Sequence, residues 1–351
     1  MTDAVLEKNN GRKPPLVIIT GPTAVGKSAA SVLLAKRIGA EIISADSMQV
    51  YRGMDIGTAK VTKEEMQGVP HHLIDILDPS EAFNVMEFRS RVRGAIDEIV
   101  ARGHVPVLVG GTGFYIQSIL YDIEFDPEGG SDEMRRQLEE EMEVRGPEEM
   151  HAELKRVDPE SAEMIHANNK KRVIRALEFY RLTGRKISDH NREQRERRSP
   201  YRFLFYVMTM DRPSLYARID YRVDLMMQDG LKEEVKALRD RGVTSDMVSM
   251  QGLGYRQMFD YLEGICTLDE AVERIKKETR HFAKRQLTWF RREPDAVWIR
   301  LEDFGGSRKK ILEKMTEESL RLIADAKADA APGSAAEGTP SASGDGKEDK
   351  K

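Results

Sequence analysis

The chain has 351 residues, 40% hydrophobic and 33% charged, with a net charge of −4, the balance of a globular protein long enough for two lobes. No apolar run approaches the roughly 18–20 residues that span a bilayer, residues 1–15 lack the apolar segment of a secretory signal, and the lone Cys266 excludes an internal disulfide framework. A cytoplasmic protein without membrane association is expected, its first 15 residues flexible.

Residues 16–20 (Leu-Val-Ile-Ile-Thr) predict a short buried strand, and 28–37 a helix. Between them, Gly21-Pro22-Thr23-Ala24-Val25-Gly26-Lys27-Ser28 fits G-x-x-x-x-G-K-[ST]. In such a loop glycines let successive N–H groups point at one anion, Lys27 reaches the terminal phosphates, and the Ser28 hydroxyl is placed to ligate Mg²⁺. The loop is expected to hold a diphosphate or triphosphate at a helix N-terminus. Residues 41–44 predict a second strand, which delivers Asp46-Ser47-Met48-Gln49 to the same sheet edge, where ligands of open parallel sheets bind.

Residues 72–77 predict a further strand and 84–102 a helix capped by Asn84. Residues 105–109 form an apolar strand ending in Gly110-Gly111-Thr112-Gly113. A phosphate-loop hydrolase usually has an aspartate at such a strand end to hold Mg²⁺. Its absence weakens a motor or switch reading more than it weakens a transferase, and leaves a small-molecule kinase open. Strands alternating with helices imply an α/β fold with a doubly wound parallel sheet over residues 16–123.

From residue 124 to about 200 the strand pattern gives way to charged helical sequence broken at Gly146-Pro147, Asp158-Pro159 and Thr183-Gly184. Met134, Leu138 and Met142, four apart, mark one apolar helix face. Residues 165–202 hold twelve Lys/Arg against four Asp/Glu, a local net charge of +8 on an acidic chain. Such an island is a footprint for a polyanion, or a solvated helical face. Strand character returns at 203–210, so the chain rejoins the sheet. Helices are expected at 214–229, 231–241, 257–263, 268–292 and 307–325, with a last strand at 296–300. The second part of the core thus covers 201–325, and 326–351 is a polar tail with nothing to bury.

The phosphate loop, the run from Asp46 to Lys60, Pro70-His71-His72-Leu73-Ile74-Asp75, Val109-Gly110-Gly111-Thr112-Gly113-Phe114-Tyr115, Lys171-Arg172-Val173-Ile174-Arg175, Gly252-Leu253-Gly254-Tyr255-Arg256-Gln257-Met258 and the block from Thr279 to Arg291 together resemble the bacterial tRNA dimethylallyltransferase family, in order, from about Leu16 to Arg300. The phosphate loop is shared by many enzymes; the Asp-Ser-Met-Gln and Thr-Arg…Lys-Arg-Gln…Trp blocks are far more specific. The resemblance implies a P-loop NTPase-like parallel sheet flanked by helices, with an all-helical, tRNA-binding insertion at 124–200. It further implies transfer of the dimethylallyl group of dimethylallyl diphosphate to N6 of adenine 37, beside the tRNA anticodon, with Mg²⁺.

In that reading the loop grips a diphosphate leaving group. Lys27 and Arg218 stabilise its charge, Asp46 is the base for the adenine amine, and Thr23 and Thr112 line the reaction channel. Ser47, Met48 and Gln49 read the extruded adenine and its neighbours. Further tRNA contacts are expected from Arg135, Lys171, Arg172, Val173, Ile174 and Arg175 in the insertion, and from Arg280, Lys284 and Arg285 on the C-terminal helix. A monomer with no obligate protein partner is expected. The alternatives are a kinase on the same fold and an isopentenyltransferase acting on free adenine nucleotides.

Overall fold

The structure, a computed structural model, describes residues 13–123, 131–196 and 198–328. Most of the start expected to be flexible and nearly all of the expected tail therefore lie outside the described residues. Six parallel strands, β1 (Pro15–Thr20), β2 (Ala40–Ala45), β3 (His71–His72), β4 (Val105–Gly110), β5 (Arg202–Thr209) and β6 (Ala296–Arg300), lie in the order β3-β2-β4-β1-β5-β6. The central strands read as continuous apolar runs because both faces are covered.

Their alternate residues sort into two cores. Leu16, Ile18, Ile43, Leu108, Phe205 and Val207 pack with α3 (Val85–Ala101) and α4 (Gly113–Leu120). Val17, Ile19, Ile42, Val107, Val109 and Tyr206 pack on the other face with α1 (Lys27–Ile38) and α13 (Arg308–Ala328). Asn84 caps α3 as expected, its side-chain oxygen accepting from the Met86 and Glu87 N–H groups at 2.9 and 3.0 Å.

The run 72–77 is not the strand its apolar pattern predicts. Only His71 and His72 pair with β2. Leu73 (φ 63) and Asp75 (φ 55) take left-handed conformations that end the extension, and Leu73 and Leu77 are buried from a loop instead. Burial without extension produces the same sequence pattern as a strand.

The segment after β4 and α4 is helical: α5 (Asp132–Val157, interrupted at Gly146, φ 79), α6 (Pro159–Met164), α7 (Lys170–Thr183) and α8 (Ile187–Glu196). It encloses its own core of Leu138, Met142, Met150, Leu154, Val173, Ile174 and Leu177. Buried Asp158 ties α6 to α8, accepting from the N–H and hydroxyl groups of both Ser161 and Ser188 at 2.7–3.1 Å. The chain returns through β5 to α9 (Arg212–Gln228), α10 (Leu231–Asp240), α11 (Tyr255–Leu262) and α12 (Leu268–Phe290). α2 (Lys63–Met66) is a single turn with a Thr62–Glu65 capping box. Neither α2 nor α4 shows in the sequence pattern. No helix among the described residues is long and apolar enough to cross a membrane.

Candidate active site

The phosphate loop leaves β1 at the sheet's carboxyl edge and enters α1. Gly21 (φ 139), Ala24 (φ 65) and Gly26 (φ 102) take left-handed conformations, the alternation that turns N–H groups inward on an anion. Gly21 also lacks room for a side chain: a Cβ there would sit 2.2 Å from the Met208 carbonyl oxygen on β5. The Lys27 ammonium donates to the carbonyls of Gly21 and Pro22 at 3.0 and 2.9 Å. Burial, reinforced by the Arg222 guanidinium and opposed by the Asp46 carboxylate, lowers its pKa to about 8. Such a cation is short of a counter-anion.

Arg222 is a residue that sequence reasoning missed. It stands one turn beyond Arg218 on α9, and both guanidinium pKa values are lowered, chiefly by burial; Arg308 adds to the effect on Arg218, and Arg218 to that on Arg222. Neither makes a salt bridge with a described residue. The i, i+4 spacing to Arg218 was the available signal. Arg222 thus lies close enough to interact with Lys27 on one side and Arg218 on the other.

The glycine turn after β4 has a steric origin. A Cβ on Gly110 would lie 2.1 Å from the Ala45 carbonyl oxygen, one on Gly111 2.2 Å from Gln286 Nε2, and one on Gly113 2.3 Å from the Trp289 ring. α12 therefore packs directly against the strand end. Gln286, buried on α12, joins the two loops: its Oε1 accepts from the Thr23 N–H at 3.1 Å and its Nε2 donates to the Gly111 carbonyl at 2.9 Å. Sequence reasoning missed this bridge as well. Thr112 stands at the N-cap of α4 without a side-chain capping bond, its half-buried hydroxyl beside the glycine turn. Trp289 meets the half-exposed ring of Phe114 edge-on at 6.4 Å.

At the end of β2, Asp46 Oδ1 accepts from the Met48 N–H at 2.9 Å and the Gln49 N–H at 3.4 Å. This turn fixes the carboxylate close enough to feel Lys27 and Tyr115. Ser47, Met48 and Gln49 are all half-buried. The Gln49 amide is already engaged: its Oε1 accepts from the Ser44 hydroxyl at 3.2 Å, and its Nε2 donates to the Thr58 and Ala59 carbonyls at 3.3 and 3.4 Å. It has one acceptor lone pair left to offer, not the two-point contact its residue type suggests.

Among the described residues, the cations expected to meet tRNA differ in whether they already have a partner. Arg135 and Arg175 both pair with the buried Glu178 carboxylate, at 3.0 and 2.9 Å, and Val173 and Ile174 lie in the insertion's core. Both guanidinium groups stay nearly half exposed beside Glu178, whereas the Val173 and Ile174 side chains are withheld from the surface. Arg181 likewise pairs with Glu141 and Glu153. Lys171 and Arg172 are exposed and make no ion pair with a described residue. On α12, Arg280 pairs with Asp220, while exposed Arg285 lies 5.7 Å from the centre of the Phe282 ring. Lys284 lines a cavity of about 500 Å³ together with Arg212, Arg291, Arg300, Tyr216 and Trp298.

Ser28, at the exposed start of α1, offers a single hydroxyl beside the loop. That donor set suits a Mg²⁺ that takes its other ligands from phosphate oxygens and water, the usual habit of this ion. No group of three or more His, Cys, Asp or Glu side chains gathers to hold a metal among the described residues.

Fold and site together define a transferase of the phosphate-loop class. The family described as IPP transferase matches residues 49–293, and the chain belongs to that family. It is similar to the tRNA dimethylallyltransferase of Lachnoclostridium phytofermentans, 53% identical over 303 residues that cover 86% of this chain and 96% of the relative. The tRNA dimethylallyltransferase of Bacillus subtilis is 51% identical over 290 residues, 83% and 92% of the two chains. Among solved structures, the full-length tRNA isopentenylpyrophosphate transferase of Bacillus halodurans is 44% identical with a TM-score of 0.69, covering 91% of this chain and 99% of that one. A eukaryotic dimethylallyltransferase acting on tRNA is 29% identical with a TM-score of 0.76, covering 89% and 80%.

Proposed function

We propose that this enzyme transfers the dimethylallyl group of dimethylallyl diphosphate to N6 of adenine 37 of tRNA, releasing diphosphate. The observation that carries the reading is the cation-rich phosphate loop, short of an anion, placed beside the aspartate that ends β2, while β4, where a hydrolase would carry its acid, ends in a glycine turn. Family membership sets aside the kinase.

As the C1–O bond of the allylic diphosphate breaks, negative charge collects on the departing diphosphate. Lys27, Arg218, Arg222 and the loop N–H groups stabilise it where it develops. Ser28 would hold a Mg²⁺, which when bound would add positive charge beside the diphosphate. The new bond forms between C1 and N6, and the Asp46 carboxylate takes the N6 proton. Its orientation is fixed by the Met48 and Gln49 N–H groups. Gln286 keeps the phosphate loop and the Thr112 turn in register. Lys171, Arg172, Lys284 and Arg285, exposed and without an ion pair among the described residues, suit RNA phosphates, and the adenine must leave its stack to reach the site. The enzyme acts as a monomer in the cytoplasm.

Incubation with labelled dimethylallyl diphosphate tests the acceptor directly. Label is expected on unmodified tRNA bearing adenine 37 and not on AMP; label on AMP alone refutes the reading.

A further inference from the structure

Glu234, in the first turn of α10, is far in sequence from the Asp46–Gln49 block and absent from the mechanism above. Its Oε2 accepts from the Asp55 and Ile56 N–H groups, both at 2.8 Å. Its Oε1 accepts from the Gly57 N–H at 3.1 Å and the Tyr255 hydroxyl at 2.6 Å. Four donors use the full acceptor capacity of one carboxylate. Among the described residues no cation pairs with Glu234, so its charge is held by three consecutive backbone N–H groups and a phenol. The arrangement is a small anion nest whose anion is part of the protein.

What the nest holds is the strap that supports the acceptor block. The carbonyls of the next two residues, Thr58 and Ala59, are those that take the Gln49 amide. The strap has little freedom to find another position: a Cβ on Gly57 would lie 2.5 Å from the buried Tyr255 ring, and Lys60 pins the far end to the Tyr51 carbonyl at 2.7 Å. Beneath it, a Cβ on Gly252 would meet the Met48 sulfur at 3.1 Å.

We infer that Glu234 is a positioning residue for the acceptor nucleotide: by gathering the 55–57 N–H groups it presents the Thr58 and Ala59 carbonyls that orient Gln49. The inference rests on the reading that the Asp46–Gln49 block meets the adenine. Glu234→Gln places an NH₂ donor against N–H donors and unsettles the strap, whereas Glu234→Asp keeps the charge with a shorter reach.

Steady-state kinetics on the full chain test it, varying tRNA and dimethylallyl diphosphate separately. Glu234→Gln is expected to raise KM for tRNA about tenfold, while KM for dimethylallyl diphosphate stays within about twofold. Glu234→Asp recovers part of the loss. The double variant with Gln49→Ala is no worse than Gln49→Ala alone, because both act through one amide. Equal increases in both KM values, or effects that multiply in the double variant, overturn the inference. A Glu234→Gln enzyme with normal kinetics does so too, and leaves the acceptor reading standing if Gln49→Ala weakens tRNA use. A Gln49→Ala enzyme with unchanged KM for tRNA removes both. If Glu234→Gln does not fold, Tyr255→Phe deletes one of the four donors and is expected to raise KM for tRNA about two- to threefold; no selective change there counts against the proposal.

Discussion

Substituting Arg222 by glutamine is expected to move the alkaline limit of the enzyme upward while lowering its activity. Lys27 titrates near 8 because burial and the Arg222 charge both disfavour the ammonium. At that value about nine-tenths of the ligand-free enzyme carries the charge at pH 7 and about one-tenth at pH 9, so kcat/KM for dimethylallyl diphosphate falls about tenfold between them. Removing the Arg222 charge leaves burial alone against the pull of Asp46, and the break shifts toward the ordinary lysine value of 10.5. The variant is expected to have a lower plateau, having lost one of the cations proposed to stabilise the diphosphate, but its decline begins at higher pH. Stability moves in the opposite sense from binding. A folded-state pKa below the unfolded one means that Lys27 destabilises the ligand-free fold below pH 8, and that this cost fades as pH rises from 8 to 10.5. The rise in Tm on adding diphosphate should therefore shrink through the same window. A pH profile of kcat/KM for wild type and Arg222→Gln, with Tm measured in parallel, provides the check. A break at the same or lower pH in the variant would refute the proposed coupling.

Asp46→Asn keeps the oxygen that accepts from Met48 and Gln49 but not the base; a loss of about 10²–10⁴ in kcat is expected with tRNA binding retained by filter assay. Gln286→Leu strands the Thr23 N–H and the Gly111 carbonyl, a cost of about 2–4 kcal/mol visible in denaturant unfolding and as a raised KM for the diphosphate substrate. Arg172→Ala should weaken tRNA binding and reduce the slope of log affinity against log salt by roughly 0.7–0.9, whereas Arg175→Ala should instead lower the stability of the insertion by depriving buried Glu178 of a partner. Gly110→Ala forces a methyl group against the Ala45 backbone carbonyl, which cannot swing aside as a side chain does; a marked drop in Tm is expected.

The strands at 16–20, 41–44 and 105–109 were legible because burial on both faces leaves an unbroken apolar run, and the Asn84 cap because its chemistry is local. The run after His72 misled because left-handed backbone at Leu73 and Asp75 leaves no mark on side-chain polarity. In the site, the phosphate loop and Asp46 were legible because their geometry is built from contiguous residues. Gln286 was not, since an amide on a charged helix carries no sign of a partner 175 residues away. Three glycines at 110, 111 and 113 do announce that something packs closely, without naming Gln286 or Trp289. Charge counting over 165–202 could not show that Arg175 already faces Glu178, because composition does not distinguish a free guanidinium from a paired one.

The strand that carries the phosphate loop lies between β4 and β5, pairing Pro15–Thr20 with Arg202–Val207 on one side. During translation that neighbour leaves the ribosome roughly 190 residues after β1, about 10–40 s later at ordinary elongation rates. Until then Leu16-Val17-Ile18-Ile19 presents an open hydrogen-bonding edge to whatever it meets, and long-range parallel pairing of this kind forms slowly even once both strands exist. The helical segment that intervenes has a core of its own, so the nascent chain can complete that lobe while the catalytic sheet is still waiting for its central seam to close.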